Sequence, residues 1–287
     1  MTPAGQLTPS KTSEILRQIG HSPSRKLGQN FLIDSNIVRK SLELAGVASG
    51  DLVVEVGPGL GTLTGALLAA GAEVYAVELD KKLFGYISGE FAGAPGLHIM
   101  QGDAVEFPRA GLPENAPDFK VVANLPYAIS TPWLDKILSG PLPKTMSLML
   151  QKEAASRFCA KKSDRDFSPI SIFLNSAYGI SDSHRVSASC FHPRPGVDSA
   201  LLALERLENP YVFCPRAKEA VRKIFSRRRK QISSIARDLG DAAVLEWLES
   251  PGAPSPESRP ETVPPSQWRE LDAIFRKEPG ADCANSI

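Results

Sequence analysis

A glycine-rich turn with an acidic residue downstream is the first feature of this 287-residue chain whose residue types and spacing suggest chemistry. Gly57 and Gly59 follow the apolar segment Leu52–Val56. Glycines let the backbone turn sharply and leave no side chain between a strand edge and a ligand. Glu78, 21 residues after Gly57, is placed where a carboxylate can accept hydrogen bonds from both hydroxyls of a ribose. The pattern predicts a binding site for a nucleoside cofactor.

The glycine spacing also bears on which nucleoside cofactor is bound. The turn reads Gly-x-Gly-x-Gly, whereas a dinucleotide site needs Gly-x-Gly-x-x-Gly to place a pyrophosphate at a helix N-terminus. A nicotinamide-dependent oxidoreductase is therefore the less favoured alternative. Asp103 follows a third predicted strand and can accept a hydrogen bond from an adenine amino group, although a turn or capping role is the usual one for such an aspartate.

The segment Asn124-Leu125-Pro126-Tyr127 is more specific, because it directly follows another predicted strand. The Asn124 side-chain oxygen and the Pro126 carbonyl can both accept hydrogen bonds from an exocyclic amino group, and the Tyr127 ring can stack on a base. Open α/β sheets bind their ligands at this carboxyl edge. The segment thus suggests a site for a flipped nucleobase; a turn with a buried tyrosine is the alternative.

The elements that must position these residues alternate between strands and helices. The predicted parallel strands are Leu52–Val56, Glu73–Val77, Leu97–Met100, Lys120–Ala123 and Met146–Leu150. Such alternation implies an α/β fold with a doubly wound parallel sheet. From Ile180 the pattern changes, and two further strands, ending at Val186 and spanning Ala200–Leu207, are expected to form an antiparallel pair that closes the sheet.

The chain is expected to contain two domains after a leader. Residues 1–24 are rich in Pro, Ser, Thr and Gly without a sustained period, which predicts a flexible leader. Residues 25–209 form the predicted α/β domain, and the Asn209-Pro210 pair marks its end. Residues 210–287 are predicted to form a small all-helical domain.

The overall composition excludes several classes of protein. The chain carries 33 basic and 32 acidic residues and is 42% hydrophobic, which is typical of globular proteins and excludes disordered, fibrous and uniformly basic ones. It has no apolar run long enough for a membrane helix and no secretion signal, so a cytoplasmic location is expected. Its four cysteines are widely spaced with no Cys-x-x-Cys pair, and no metal site is predicted.

The near-neutral charge hides a basic run between Arg216 and Lys230, with eight basic residues and only Glu219 acidic. Such a run can bind phosphates, and the alternative is a solvated helix face. The candidate RNA contacts are Arg222, Arg227, Arg228, Arg229 and Lys230.

Seven segments, in this order, resemble the ribosomal RNA adenine dimethyltransferases. They are GQNFL (Gly28–Leu32), EVGPGLGTLT (Glu55–Thr64), VELD (Val77–Asp80), GDA (Gly102–Ala104), NLPY (Asn124–Tyr127), LQKEAASRF (Leu150–Phe158) and FHPRPGVDSA (Phe191–Ala200). The family contains the KsgA-type small-subunit enzymes and the erythromycin-resistance enzymes that modify large-subunit RNA. FSRRRKQISSIA (Phe225–Ala236) and the segment Arg259–Leu271 resemble the KsgA-type branch.

The resemblance implies a class I, Rossmann-like methyltransferase fold that binds S-adenosylmethionine, followed by a small helical domain. The cofactor contacts that it implies are Asn30, Leu32, Gly57, Gly59, Glu78, Asp103 and Asn124. In this scheme Asn30 and Leu32 border the methionine end of the cofactor, and Asn124 lies between cofactor and target base. Tyr127 and Phe191 would stack on the target adenine.

The resemblance also implies the substrate. The KsgA-type branch of the family transfers two methyl groups to the amino nitrogen of each of two adjacent adenines in the 3'-terminal hairpin loop of small-subunit (16S) rRNA. The implied partners are this RNA and an immature small ribosomal subunit late in assembly, and a monomer is the simplest state. A resistance-type large-subunit enzyme and a factor acting chiefly in ribosome assembly remain the alternatives.

The expected mechanism uses the same motif. An adenine amino nitrogen is a poor nucleophile while its lone pair is delocalised into the ring. If Asn124 and Pro126 accept both of its protons, the nitrogen can pyramidalise and direct its lone pair at an electrophilic methyl group, which makes Asn124, Pro126 and Tyr127 the predicted catalytic residues. No strong base is needed, because the cationic product nitrogen can lose its proton to water.

Two positions depart from the family pattern. Ala128 replaces the asparagine that commonly follows this motif in the small-subunit branch, and residues 161–173 replace the usual Tyr-Gly-containing loop. Activity is expected to survive the change at Ala128, since Asn124, Pro126 and Tyr127 remain. The replaced loop leaves the cofactor motifs unchanged, but its contacts with RNA no longer follow from the resemblance.

Overall fold

A computed structural model of the chain describes residues 7–24 and 28–277. These residues form two compact units, each assembled from several stretches of the chain. Unit 1 contains the described residues up to Ile137 together with Pro143–Ala155 and Gly179–Arg206. Unit 2 contains Leu138–Leu142, Ser156–Tyr178 and the described residues from Leu207 onward.

Unit 1 is built on a mixed sheet with helices. The strands are β1 (Phe31–Leu32), β2 (Leu52–Val56), β3 (Glu73–Glu78), β4 (Leu97–Gln101), β5 (Phe119–Asn124), β6 (Thr145–Gln151), β7 (Tyr178–Val186), β8 (Phe191–His192) and β9 (Ser199–Arg206). The helices are α1 (Pro9–Gln18), α2 (Ser35–Ala45), α3 (Thr62–Ala69), α4 (Lys81–Glu90) and α5 (Ser130–Ile137). Helix α6 (Lys152–Cys159) begins in unit 1 and ends in unit 2.

The main sheet has seven strands in the order β4-β3-β2-β5-β6-β9-β7. Strands β2 to β6 are parallel to one another, and β9 pairs antiparallel with β6. Val53 lies opposite Val74 on β3 and Lys120 on β5. The predicted Rossmann-like α/β fold is confirmed, and because the parallel strands share one direction, β2, β3 and β5 end at the same edge.

The helices of unit 1 begin and end where local chemistry favours it. Asp34 caps α2 by accepting hydrogen bonds from the backbone N–H groups of Asn36 (2.8 Å) and Ile37 (3.2 Å), and Gly46 ends the helix in the left-handed conformation. Asp80 caps α4 in the same way. The buried face of α2 packs with the apolar strands into one hydrophobic core.

The leader differs from the prediction. Instead of being flexible throughout, its residues Pro9–Gln18 form α1, whose buried side chains include Ile15 and Leu16. These two pack with Phe31, Leu60 and Leu83 in a second apolar cluster. The helix bears apolar or small residues at four positions with helical spacing, namely Thr12, Ile15, Leu16 and Ile19, and burial of this short face outweighs the Pro and Ser content around it. Residues 1–6 of the predicted leader lie outside the described residues.

Unit 2 is helical. Besides the end of α6 it contains α7 (Pro169–Ala177), α8 (Pro215–Phe225), α9 (Ile232–Leu239), α10 (Ala242–Glu249) and α11 (Pro265–Lys277). Its core is aromatic: the Phe173 and Phe213 ring centroids lie 5.1 Å apart, and Phe167 meets Phe225 edge-on at 6.0 Å. Residues 156–178 therefore group with the C-terminal helices, so the α/β domain is not the continuous segment 25–209 that was predicted.

In the described part of the chain, no helix is both long and apolar enough to span a membrane.

Candidate active site

A cleft opens at the carboxyl edge of β2, β3 and β5. We call it the first cleft; its volume is about 1000 Å³ including its open mouth. The predicted residues that line it are Asn30, Leu32, Gly57, Gly59, Glu78, Asp103, Asn124, Pro126 and Tyr127. The structure thus brings every predicted cofactor-binding and catalytic residue to one cavity. Most of them lie at or after the ends of parallel strands, as expected, whereas Asn30 and Leu32 come from β1 and the loop before it.

The glycine turn after β2 has a backbone that other residues rarely adopt. Gly57 has φ 65° and Gly59 has φ 58°. A Cβ atom on Gly57 would lie 3.3 Å from the Pro126 ring, and one on Gly59 would lie 3.1 Å from the Phe31 ring. Both glycines are therefore required by close packing inside the protein as well as by their conformation.

Glu78 ties the glycine turn to the end of β3. One of its carboxylate oxygens accepts the N–H of Gly59 at 3.1 Å, and the other accepts the N–H of Asp80 at 2.9 Å. The side chain is buried, and burial raises the pKa of its carboxyl group. Each carboxylate oxygen has a further lone pair, so Glu78 can still accept hydrogen bonds from two ligand hydroxyls.

Asp103 combines the two roles considered for it. Its side chain accepts the N–H of Val105 at 2.8 Å, which is a turn interaction, and it is half-buried in the wall of the first cleft. A turn role and a ligand contact are therefore compatible at this position, because a carboxylate has several lone pairs.

Glu55 is a residue of the first cleft that the motif analysis did not single out. It lies on β2, is 1% exposed, and accepts a hydrogen bond from the Thr64 hydroxyl at 2.6 Å. Burial raises the pKa of its carboxyl group to about 8. An acidic residue inside an apolar strand, two positions before Gly57, is the signal that could have identified it.

The loop that contains Asn30 is clamped against the loop that follows β5. The Asn124 side-chain amide donates to the backbone carbonyl of Asn30 at 3.0 Å, and the Asn30 amide donates to the carbonyl of Gly28 at 3.1 Å. Gly28 has φ 64°, and a Cβ atom there would lie 3.1 Å from the Tyr127 nitrogen. With its NH₂ group held in this way, Asn124 keeps its side-chain oxygen, which has no donor among the described residues, for a ligand.

The Tyr127 ring is held by a hydroxyl group distant in sequence. Its phenol oxygen lies 2.8 Å from the Ser199 hydroxyl at the start of β9. Ser199 is buried and pairs with Gln151 across β6 and β9. Burial of the half-buried Tyr127 raises the pKa of its phenol. The motif analysis did not identify Ser199 as part of the site, because no local pattern links it to Tyr127.

A second cleft adjoins the first. Five residues line both clefts, namely Gly28, Gln29, Asn30, Tyr127 and Ala128. The rest of the second cleft is formed by α1, by the segment Gly20–Pro23 that follows it, by Gln151, and by the loop 192–196. Tyr127 and Asn30 thus belong to the wall that separates two cavities of unit 1.

Phe191, the second predicted stacking residue, lies in the apolar core of unit 1 and not in a cleft wall. Its side chain is 2% exposed and packs with Leu32 and Val186 in the core of unit 1. It lines neither cleft, because β8, on which it lies, pairs with β1 and turns this side chain into the apolar core. The structure therefore does not bring Phe191 to the position where stacking on a target base was expected.

The predicted basic contacts lie in unit 2, on α8 and in the turn after it. Several have acidic partners: Arg227 pairs with Asp238 at 2.8 Å, and Lys230 approaches the same carboxylate at 3.5 Å. Arg228 pairs with Glu261 at 2.7 Å. The Arg222 guanidinium lies over the Phe173 ring at 5.7 Å. Arg229 is exposed and forms no ion pair with a described residue.

The charge of the first cleft limits what it can hold. Its described lining includes Glu55, Glu78 and Asp103 but no Lys, Arg or His. This lining suits an uncharged or positively charged nucleoside, and it does not suit a pyrophosphate or a 2'-phosphate, which require basic or N–H-rich sites. Among the described residues there is also no cluster of three or more side chains that could hold a metal ion.

Sequence comparison identifies relatives over most of the chain. The profile of the ribosomal RNA adenine dimethylase family matches residues 20–268. Ribosomal RNA small subunit methyltransferase A from Opitutus terrae is 54% identical over 270 residues, which cover 92% of this chain and 98% of that protein. The protein of the same name from Moorella thermoacetica is 37% identical over 283 residues, covering 94% and 98% of the two chains.

Solved structures agree with the sequence relatives. A dimethyladenosine transferase from Plasmodium falciparum superposes with a TM-score of 0.68 at 26% identity, covering 86% of this chain and 98% of that one. The 23S rRNA methyltransferase ErmE superposes with a TM-score of 0.58 at 23% identity, covering 86% and 100%, a likeness that concerns the fold alone. The resemblance found in the motifs is confirmed, and this methyltransferase belongs to the ribosomal RNA adenine dimethylase family.

Proposed function

We propose that this chain uses S-adenosylmethionine to dimethylate the amino groups of two adjacent adenines in the 3'-terminal hairpin loop of small-subunit rRNA, on a late assembly particle. The observation that carries the proposal is the placement of Asn124, Pro126 and Tyr127 in the wall of the first cleft, with Tyr127 also in the wall of the second. Two clefts that share Tyr127 suit a reaction between a cofactor and a large substrate. The names of the relatives support the small-subunit RNA as substrate over the large-subunit RNA.

The donor set of the first cleft fits S-adenosylmethionine. When bound, this cofactor supplies an electrophilic methyl group on a positively charged sulfur. Glu78 would accept the ribose hydroxyls, Asp103 would accept the adenine amino group, and Asn30 and Leu32 would border the methionine end. The described lining of the cleft carries acidic side chains and no basic ones, which favours a cation without phosphate groups.

Two acceptors are available for the target amino group. The Asn124 side-chain oxygen is one, because the Asn124 NH₂ group is already bonded to the Asn30 carbonyl. The Pro126 carbonyl is the other; it accepts the N–H of Ile129 at 3.0 Å and keeps a second lone pair. Together they can hold both protons of an adenine amino group and so turn its lone pair out of the ring plane.

The remaining steps require little of the protein. The half-buried Tyr127 ring would stack on the adenine and keep it in the orientation for in-line transfer. The methylated nitrogen, once cationic, releases its proton to water, so the lack of a general base in this motif is consistent with catalysis. A second transfer needs room for one methyl group, and the small Ala128 side chain borders both clefts.

The proposal is tested by transfer of labelled methyl groups from S-adenosylmethionine to three acceptors in parallel: undermethylated small subunits, naked small-subunit RNA and naked large-subunit RNA. The expected product is dimethyladenine in the small-subunit particle. Label only in large-subunit RNA would contradict the proposal in favour of a resistance-type enzyme. Cofactor binding with no label in any acceptor would contradict it in favour of an assembly factor.

A further inference from the structure

The two clefts of unit 1 have opposite charge. Acidic side chains line the first cleft, as described above, and no basic side chain is among its described residues. The described lining of the second cleft contains two arginines and two histidines and no Asp or Glu. A cavity with this lining attracts anions, whereas the adjoining one attracts cations.

The two histidines of the second cleft are already engaged inside the protein. His192 bonds to the Ser13 hydroxyl at 2.9 Å, and His21 bonds to the Gln29 side chain at 3.0 Å with the Asp80 carboxylate 3.6 Å away. These contacts hold the loop 192–196 against α1 and shape the cleft. They leave the arginines as the charged groups available to a ligand.

Arg17 and Arg194 reach the second cleft from two different elements. Arg17 lies in the last turn of α1, and Arg194 lies in the loop between β8 and β9. Both are exposed, and neither forms an ion pair or a side-chain hydrogen bond with a described residue. Guanidinium groups without acidic partners bind phosphates well, because they donate several hydrogen bonds in a fixed fork.

The position of the second cleft indicates which phosphates of an RNA substrate it would bind. Tyr127, the predicted stacking residue, belongs to the wall of this cleft, and so does the loop that contains Gly28 and Asn30. A nucleotide whose base stacks on Tyr127 must have its own backbone close to this wall. Since a single-stranded loop carries one negative charge per nucleotide, the phosphates next to the target base are the nearest anions that a substrate would bring.

We propose that the second cleft is a phosphate-binding subsite in which Arg17 and Arg194 hold the RNA backbone on either side of the target nucleotide. This inference rests on the proposed function. It gives α1 a direct part in substrate binding and assigns that part to unit 1, whereas the basic run belongs to unit 2.

The test is a chemical double-mutant cycle. The probe is a hairpin RNA with two adjacent adenines in its loop, made with native linkages or with uncharged methylphosphonate linkages flanking those adenines. Its affinity is measured by fluorescence anisotropy for the wild type, Arg17→Gln, Arg194→Gln and the charge-retaining Arg17→Lys. The matched control is Arg39→Gln, since Arg39 is exposed on α2, carries the same charge and lines neither cleft.

The expected losses of RNA affinity depend on whether the linkages next to the target adenines are charged. The uncharged linkages weaken binding to the wild type about a hundredfold, which is about tenfold for each of the two arginine contacts. Each arginine-to-glutamine variant binds the native RNA about tenfold more weakly and loses only about a further tenfold with the uncharged RNA, and its salt slope falls by about 0.7. Arg17→Lys recovers part of the loss, and Arg39→Gln behaves as the wild type. Glutamine is nearly as good a helix former as arginine, so α1 should persist.

The proposal is overturned if Arg17→Gln and Arg194→Gln bind the native RNA with the same affinity as Arg39→Gln. It is also overturned if the uncharged linkages lower the affinity of these two variants by the same factor as that of the wild type. The methyl-transfer assay is separate. Wild type that transfers no methyl group to any RNA would refute the proposed function, while the binding cycle would still decide whether the subsite exists.

Discussion

The phenol of Tyr127 and the hydroxyl of Ser199 lie 2.8 Å apart, joining the loop after β5 to the first residue of β9, 72 positions along the chain. Ser199 is 1% exposed and part of the β6–β9 ladder, so its hydroxyl has a fixed position. The hydrogen bond therefore restricts the plane of the Tyr127 ring before any ligand binds. We infer that Ser199 is a positioning residue for the ring on which the target base would stack.

The variant Ser199→Ala is expected to raise KM for the RNA about three- to tenfold with little change in kcat, because one neutral hydrogen bond contributes about 1 kcal/mol. Combining it with Tyr127→Phe should add almost nothing, since either change removes the same bond. Ser147→Ala is the matched control: Ser147 is also fully buried in the sheet, but its hydroxyl has no hydrogen-bond partner among the described residues. Additive effects of the two changes would contradict the positioning role.

The variant Asn124→Ala is expected to lose methyl transfer by about a hundredfold or more, since it removes one of two acceptors for the target amino group. Cofactor affinity should stay within a few-fold, because Glu78 and Asp103 remain. Calorimetric titration with S-adenosylmethionine and a single-turnover transfer assay measure the two effects separately. Unchanged turnover would exclude the assigned role of Asn124. Loss of cofactor binding would show that the main role of Asn124 is to bind the cofactor.

The variant Glu55→Gln is expected to change how stability depends on pH. The pKa of Glu55 is raised by burial to about 8 in the folded protein, against an ordinary value of 4.5 for a glutamate exposed to water. Between these values the folded state binds more protons than the unfolded state, so this group makes stability fall as pH rises from about 4.5 to about 8. Glutamine removes that contribution. The difference in melting temperature, variant minus wild type, should therefore increase from pH 5 to pH 8.5.

A substitution at Thr64 complements this measurement, because the Thr64 hydroxyl donates a hydrogen bond to the Glu55 carboxylate at 2.6 Å. Thr64→Val removes the donor that favours the ionised carboxylate, so it should raise the pKa of Glu55 further and extend the loss of stability to higher pH. A Glu55→Gln difference that is flat across the whole range would show that the carboxyl group ionises near its ordinary pKa.

Neutralising Arg227, Arg228 and Arg229 together is expected to weaken RNA binding and to flatten its salt dependence. The structure distinguishes the three, since Arg227 and Arg228 have acidic partners at 2.8 and 2.7 Å. Arg229→Gln alone should then account for most of the change, lowering the salt slope by about 0.7. Arg228→Gln should act mainly on the stability of unit 2. If Arg229→Gln leaves the slope unaltered, the run is a solvated helix face.

Local sequence patterns were enough to predict the sheet and most of the first cleft. The apolar, β-branched strands, the glycine turn after Val56 and the positions of Glu78 and Asn124 directly after strands each follow from short-range chemistry. Parallel strands then bring their carboxyl ends to one edge, so residues far apart in the chain meet there without any knowledge of loop paths. This is why the predicted cofactor-binding residues that lie at or after the ends of these strands line one cavity, whereas Asn30 and Leu32 reach it from β1 and the loop before it.

The remaining features depend on which side chains meet across long separations. Phe191 is turned into the core by the pairing of β8 with β1, α1 is held by Ile15 and Leu16 against another part of the chain, and Ser199 reaches Tyr127 through the β6–β9 pairing. The helical spacing in α1 and the family segment that contains Phe191 and Ser199 do not specify these contacts, because each contact depends on the packing of elements after the sheet has formed. The chemistry of the site could thus be read along the chain, whereas its second cleft and its supporting contacts were decided by tertiary packing.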